Sequence, residues 1–226
     1  MMDLVVPIFF ASLFTGVISI DRAAFGQFQL SRPMVAAPLL GLLMGCPAEG
    51  VLIGLIFELL FLDSLPVGSF VPLEALYPAL LSVVVIGTGQ VPRSALPIAL
   101  VVSLPSVVAD RWADNRWRRV NERIFSRAEA YVRLGRLDLV QIQMVLAILQ
   151  AGFFNFLAFL LSSAVLVPMA AVVAEKLPAL PGLLLAAALV PILTGLAALS
   201  SRRLRKGKEW IGFAAGVFFG LLAGLV

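Results

Sequence analysis

Apolar runs of unequal length, broken at recurring polar positions, set the plan of this chain. Residues 4–20 form one uncharged run, long enough for a first membrane helix. A polar stretch follows over 21–32. Residues 33–46 are again uncharged. The break Pro47-Ala48-Glu49-Gly50 then leads into a second apolar run that contains Glu58. Neither of these two runs reaches the roughly 20 residues that a crossing helix needs. Residues 33–62 therefore predict a re-entrant helical hairpin, which enters the bilayer and turns back. Further spans are predicted over 70–87, interrupted by Pro72, Glu74 and Pro78, and over 94–109, which contains Pro97 and Pro105. Residues 140–168 make a longer segment that fits a tilted span. Runs at 180–199 and 211–226 close the chain. The predicted fold class is all-α: a polytopic membrane helix bundle with a re-entrant hairpin and an amphipathic interfacial helix, built as one membrane domain over 1–226.

The interfacial helix is the connector at 110–138. Trp117, Val120, Ile124, Ala128 and Tyr131 recur at three or four residues, and Phe125 and Val132 widen the stripe. Arg119, Arg123 and Arg127 recur every four on another face. Glu129 precedes Arg133 by four, the favourable order for a helical ion pair. An apolar stripe beside arginines suits a membrane surface with anionic lipid. A plain cytoplasmic connector and a docking surface for a soluble partner fit the same pattern.

Composition removes whole classes of function. The 226 residues are 61% hydrophobic and 13% charged, about half the charged share of soluble domains. Eight arginines lie between Arg111 and Arg136, and five basic residues between Arg202 and Lys208. The basic balance therefore belongs to loops beside the membrane and calls for no nucleic acid. Two spans separate the clusters, so both lie on one side, which the positive-inside rule makes cytoplasmic. The absence of histidine excludes His-ligated metal and phosphohistidine chemistry in this chain. A single cysteine, Cys46, excludes an intrachain disulfide. No phosphate-binding glycine loop, metal cluster or nucleophile–base pair is present, so neither a cofactor nor an enzymatic centre is expected. The opening Met-Met-Asp lacks a basic n-region, so the first apolar run is expected to be retained. Gly212, Gly216, Gly220 and Gly224 clear one face of the last helix for close packing. That face suits packing within the chain and association between subunits equally, and an oligomer is expected.

Glu58 is the first candidate for function. Gly50, Gly54 and Glu58 share one helical stripe, so the carboxylate faces protein or a cavity, and an acid at membrane depth is a functional hypothesis by default. The alternative is an ion pair with Arg32 or another arginine that pins the hairpin. Gln27 and Gln29 flank Phe28 before the first short run. Their amides both donate and accept, which suits a neutral polyhydroxyl ligand. Solvated loop glutamines are the plainer account. Glu74 closes a proline- and glycine-rich stretch that begins at Asp63. It is a further candidate for the same site, or a loop acid at the interface.

Phe28-Gln29, Arg32-Pro33, the spacing of Leu39, Gly41 and Gly45, and Gly50-x-x-Ile53-Gly54-x-x-x-Glu58 together resemble the IIC membrane subunit of the mannose-type (mannose-fructose-sorbose) sugar phosphotransferase system. The resemblance continues weakly past Gly135-Arg136-Leu137. It implies a IID membrane subunit as partner, and soluble IIA and IIB subunits that carry phosphate to a small neutral sugar as it arrives. It implies residence in a bacterial inner membrane and sugar contacts at Gln29 and Glu58. The chain departs from the family pattern at Pro66-Val67-Gly68, where Asn-Ile-Gly is common, and at Glu74, where aspartate is common. Two further readings stand beside transport: a scaffold or regulatory subunit of the same fold, and an unrelated small-molecule permease.

Overall fold

A computed structural model describes residues 2–23, 26–61 and 74–176. The described chain runs α1 (Met2–Ala23), α2 (Pro33–Leu43), α3 (Pro47–Leu60), α4 (Leu76–Gly87), a 3₁₀ turn (Arg93–Ala95), α5 (Leu96–Ser103), α6 (Ser106–Arg133) and α7 (Leu137–Lys176). Among the described residues there is no strand. The all-α membrane bundle read from the apolar pattern is the fold. The runs at 180–199 and 211–226, the glycine stripe from Gly212 to Gly224 and the basic cluster at 202–208 lie outside the described residues.

The hairpin is present as two short helices of 11 and 14 residues, about 16 and 21 Å long. Both are shorter than a hydrocarbon core of roughly 30 Å. The turn between them is set locally. Gly45 takes the left-handed conformation at φ 71°, and the amide of Cys46 donates to Gly41 O at 2.8 Å. Pro47 then starts α3, where its missing N–H costs nothing. The two helices touch through backbone. A Cβ at Gly50 would stand 2.7 Å from Ala37 O, and one at Gly54 2.6 Å from Pro33 O. Lipid tails are as apolar as leucine, so close packing of this kind holds helices together inside a bilayer.

Helix α4 is the centre of the bundle, with every residue from Leu76 to Ile86 buried. An all-round apolar helix needs neighbours on all sides, and α4 packs against α1, α2, α3, α5, α6 and α7. It has 12 residues, about 18 Å, too short to cross by itself. The predicted span at 70–87 therefore reduces to 76–87 among the described residues. Tyr77 fixes the register: its hydroxyl lies 2.9 Å from Asn155 O and 3.0 Å from Asn155 Oδ1 in α7. Its ring meets Phe159 edge-on, with centroids 5.3 Å apart.

The span predicted over 94–109 is not one helix. It breaks at Leu104–Pro105, and the pieces on either side are bent by 45°. Pro105 lacks the N–H that would continue the helical ladder. Ser106 Oγ donates to Ser103 O at 2.7 Å, and Ser103 Oγ to Leu100 O at 2.8 Å, which satisfies carbonyls near the break. Beyond it, α6 runs unbroken for 28 residues and α7 for 40. Gly135 at φ 70° ends α6, with the amide of Arg136 donating to Tyr131 O at 3.0 Å. The chain thus turns directly back into α7, and α6 packs along it. The amphipathic pattern is real: Trp117, Val120, Ile124, Ala128 and Tyr131 are all at least half-covered, while Phe125 and Val132 stay exposed. Part of that cover is protein, since Trp117 Nε1 donates to Ala147 O in α7 at 3.3 Å.

Among the described residues, Leu4–Arg22 and Leu137–Lys176 are long and apolar enough to cross a membrane, and the bent α5–α6 pair makes a third if taken as one span. On α1, Ser12, Thr15 and Ser19 are buried, and each hydroxyl returns to the carbonyl four residues back. Gly16 and Gly152 let α1 and α7 cross closely: a Cβ at Gly16 would stand 2.8 Å from Gly152 O.

Candidate functional site

The glycine stripe of α3 delivers its last member, Glu58, to the start of α2. There the Glu58 carboxylate meets two groups. Arg32 Nη1 donates to Oε1 at 2.6 Å, and the Met34 amide donates to Oε2 at 3.4 Å. Met34 sits in the first turn of α2, where backbone N–H groups have no partner within the helix. The positive end of that helix favours an anion. The Glu58 side chain is 14% exposed and Arg32 is 54% exposed. One face of the pair is therefore open, although the acid itself is mostly covered.

Gln29 joins this pair. Its Oε1 accepts from Arg32 Nε at 2.8 Å. Arg32 thus bridges an amide and a carboxylate through two of its nitrogens. Such a group of forked donors and acceptors matches the vicinal hydroxyls of a neutral polyol. The two glutamines are held in unusual backbone: Gln27 has φ 53° and Gln29 φ 66°. Non-glycine residues rarely take this region. Gln27 is exposed on the same loop, and no hydrogen bond links it to Glu58.

Glu74 stands elsewhere. It pairs with Arg22 Nη1, whose guanidinium also faces Asp110 Oδ1 at 3.3 Å and Asp114 Oδ1 at 3.8 Å. Asp114 in turn accepts from Arg118 Nε at 2.9 Å. This hub joins the end of α1, the second residue before α4 and the first half of α6. Asp110 and Asp114 are buried. The sequence carried a signal for it: Asp110 and Asp114 are four apart on one helix face, opposite the lone Asp21-Arg22 pair at the end of an apolar span.

A second pair holds the hairpin at its tip. Arg93 Nη2 donates to Gly45 O at 2.9 Å, and Arg93 Nε lies 3.4 Å from Glu49 Oε1. Cys46 beside it is buried and packs as a small apolar residue. Among the described residues no group of three or more acidic, cysteine or histidine side chains is placed to hold a metal ion.

The described helices thus form an all-α membrane bundle around a short-helix hairpin, with charged groups at both ends of that hairpin. The family model described as the sorbose-specific IIC component of the phosphotransferase system matches residues 5–225, and the chain belongs to that family. The resemblance read from Phe28 to Glu58, and weakly past Gly135-Arg136-Leu137, thus extends over nearly the whole chain. No curated protein sequence matches it. The protein is a membrane sugar-transport component of a phosphotransferase system, a family that works with other subunits of that system.

Proposed function

We propose that the open base of the α2–α3 hairpin is where this chain grips its sugar, with Glu58 and Gln29 as principal contacts. Gln27 contributes from the same loop. Glu74 belongs to the neighbouring Arg22 hub and acts on the site indirectly. The chain forms one membrane domain that crosses a bacterial inner membrane several times. It pairs with a IID membrane subunit, while soluble IIA and IIB subunits supply the phosphoryl group. Phosphorylation on the cytoplasmic side then makes the sugar anionic and hard to return through hydrocarbon.

The observation that carries this reading is the Gln29–Arg32–Glu58 constellation. Three side chains able to bind hydroxyls converge on one helix start, and one side of the constellation is open to solvent. Arg32 is 54% exposed, so its guanidinium can turn toward a ligand hydroxyl while the Met34 amide still faces Glu58.

One observation favours a second reading. Both oxygens of Glu58 already have protein partners, as a residue that only pins the hairpin would. Equilibrium binding decides between the two. The chain is co-purified with its IID partner, and L-sorbose, D-mannose and D-fructose are titrated into wild type and Glu58→Gln. Saturable binding of one sugar in the wild type, lost in the variant, supports transport. An intact complex that binds none of the three supports a scaffold.

A further inference from the structure

Asp21 lies on the last turn of α1 and is hydrogen-bonded to neither Glu58 nor Arg32, yet it holds the loop that leads into Arg32. Its Oδ1 accepts the Phe28 amide at 2.7 Å and its Oδ2 accepts the Leu30 amide at 2.7 Å. The residue is 7% exposed. These amides alternate with the glutamines. Gln27 precedes Phe28, and Gln29 sits between the two clamped positions. Both glutamines have positive φ, as does Gly26 at φ 91°. A side chain at Gly26 would strike the Phe28 ring at 2.7 Å. A chain that visits the left-handed region at three of four successive residues is not following local preference. It is held there, and among the described residues the carboxylate that holds it is Asp21. The next residue, Arg22, is fixed in the hub with Glu74, Asp110 and Asp114. The clamp is therefore mounted on a rigid part of the bundle.

We propose that Asp21 is the positioning residue of the sugar site: its carboxylate clamps residues 26–30 so that Gln29 presents its amide to Arg32 and, through it, to Glu58. This rests on the sugar reading given above and deepens it. The linkage is continuous. Asp21 holds the amides on both sides of Gln29, Gln29 Oε1 receives Arg32 Nε at 2.8 Å, and Arg32 Nη1 reaches Glu58 Oε1 at 2.6 Å. An amide at position 21 keeps one acceptor but sets an N–H₂ against a backbone N–H. Asp21→Asn therefore loses at least one charge-assisted bond of the kind worth about tenfold or more in an equilibrium.

Two measurements on the complex with its IID partner test this. In the first, hydrogen–deuterium exchange is followed in peptides spanning 26–32, with α4 and α7 as controls. Asp21→Asn is expected to accelerate exchange in the loop alone. Unchanged loop exchange overturns the clamp, whatever the sugar data show. The second is a double-mutant cycle in sugar affinity, using whichever of L-sorbose, D-mannose and D-fructose binds the wild type. Asp21→Asn is expected to weaken binding about tenfold, and to add little once Gln29 is alanine. Independent, additive losses mean that Asp21 supports the fold generally, and they overturn the positioning role. If Asp21→Asn fails to assemble, Asp21→Glu keeps the charge, moves it by one methylene and takes its place in both tests. A wild-type complex that binds none of the three sugars overturns the sugar reading and the positioning role with it, while loop exchange still decides the clamp separately.

Discussion

Two arginine–carboxylate clusters sit a short distance apart in sequence and behave as different devices. Arg22 has 16% of its side chain exposed and faces Glu74, Asp110 and Asp114, two of which are nearly inaccessible. Arg32 has 54% exposed and faces one carboxylate and one amide. In the first, the charges have lost water and depend on one another. In the second, water and ligand can take the place of a partner. The same chemistry thus makes a structural joint where it is covered and leaves a face accessible to water or ligand where one side is open. The difference comes from which helices surround each cluster. The hub lies between α1 and α6 beside the start of α4. The site lies at the rim of a hairpin whose helices are too short to enclose it.

Breaking the hub is expected to have the largest effect. Arg22→Ala leaves three carboxylates with only Arg118 between them, and should cost on the order of 3–5 kcal/mol. Thermal unfolding in detergent would show it as a large fall in Tm or as loss of folded protein. A Tm within two or three degrees of wild type, the shift that about 1 kcal/mol gives in a domain of this size, would remove the contrast between the two clusters. Next comes the hairpin. Gly54→Ala places a methyl against Pro33 O, where a Cβ would stand at 2.6 Å, and should destabilise by about 1–3 kcal/mol. It also shifts Glu58 away from α2, so sugar affinity falls together with Tm. Glu58→Gln sharpens the comparison. Affinity should fall about tenfold or more, near 1.4 kcal/mol, with Tm almost unchanged. A Tm loss as large as that of Arg22→Ala would make Glu58 a pin. The smallest effect is expected at the exposed Glu129–Arg133 pair, 2.6 Å apart with both side chains more than half exposed. Arg133→Ala should change stability by less than about 0.5 kcal/mol, and added salt should erase even that.

Part of the arrangement around Glu58 is legible in the sequence. The glycine spacing placed Glu58 on the face that meets α2, because a stripe without Cβ atoms has one use in a short apolar helix. An ion pair between Glu58 and Arg32 is the alternative that the sequence offers to ligand contact, and that pair is formed. Glu74 is a candidate for the site because it closes a proline- and glycine-rich stretch, and a loop acid at the interface is the alternative. The structure groups it with Arg22, because the chain two residues before α4 lies beside α1 and α6. Asp21 was passed over as one polar residue among several following an apolar run. Its role depends on the backbone of residues seven and nine positions later, and no periodicity encodes a loop that folds back on a helix end.

Hydropathy, glycine spacing and proline placement by themselves determined that this chain is an all-helical membrane protein, that its second and third helices form a hairpin too short to cross, and which face of that hairpin carries the acid. Those properties are local: each depends on residues within a turn or two of one another. Tertiary structure alone decided that α4 is the buried centre, that α6 lies along α7, and that Arg22 gathers acids from two other parts of the chain. These depend on partners tens of residues away, chosen by the shape of packed backbone and the need to pair every buried charge.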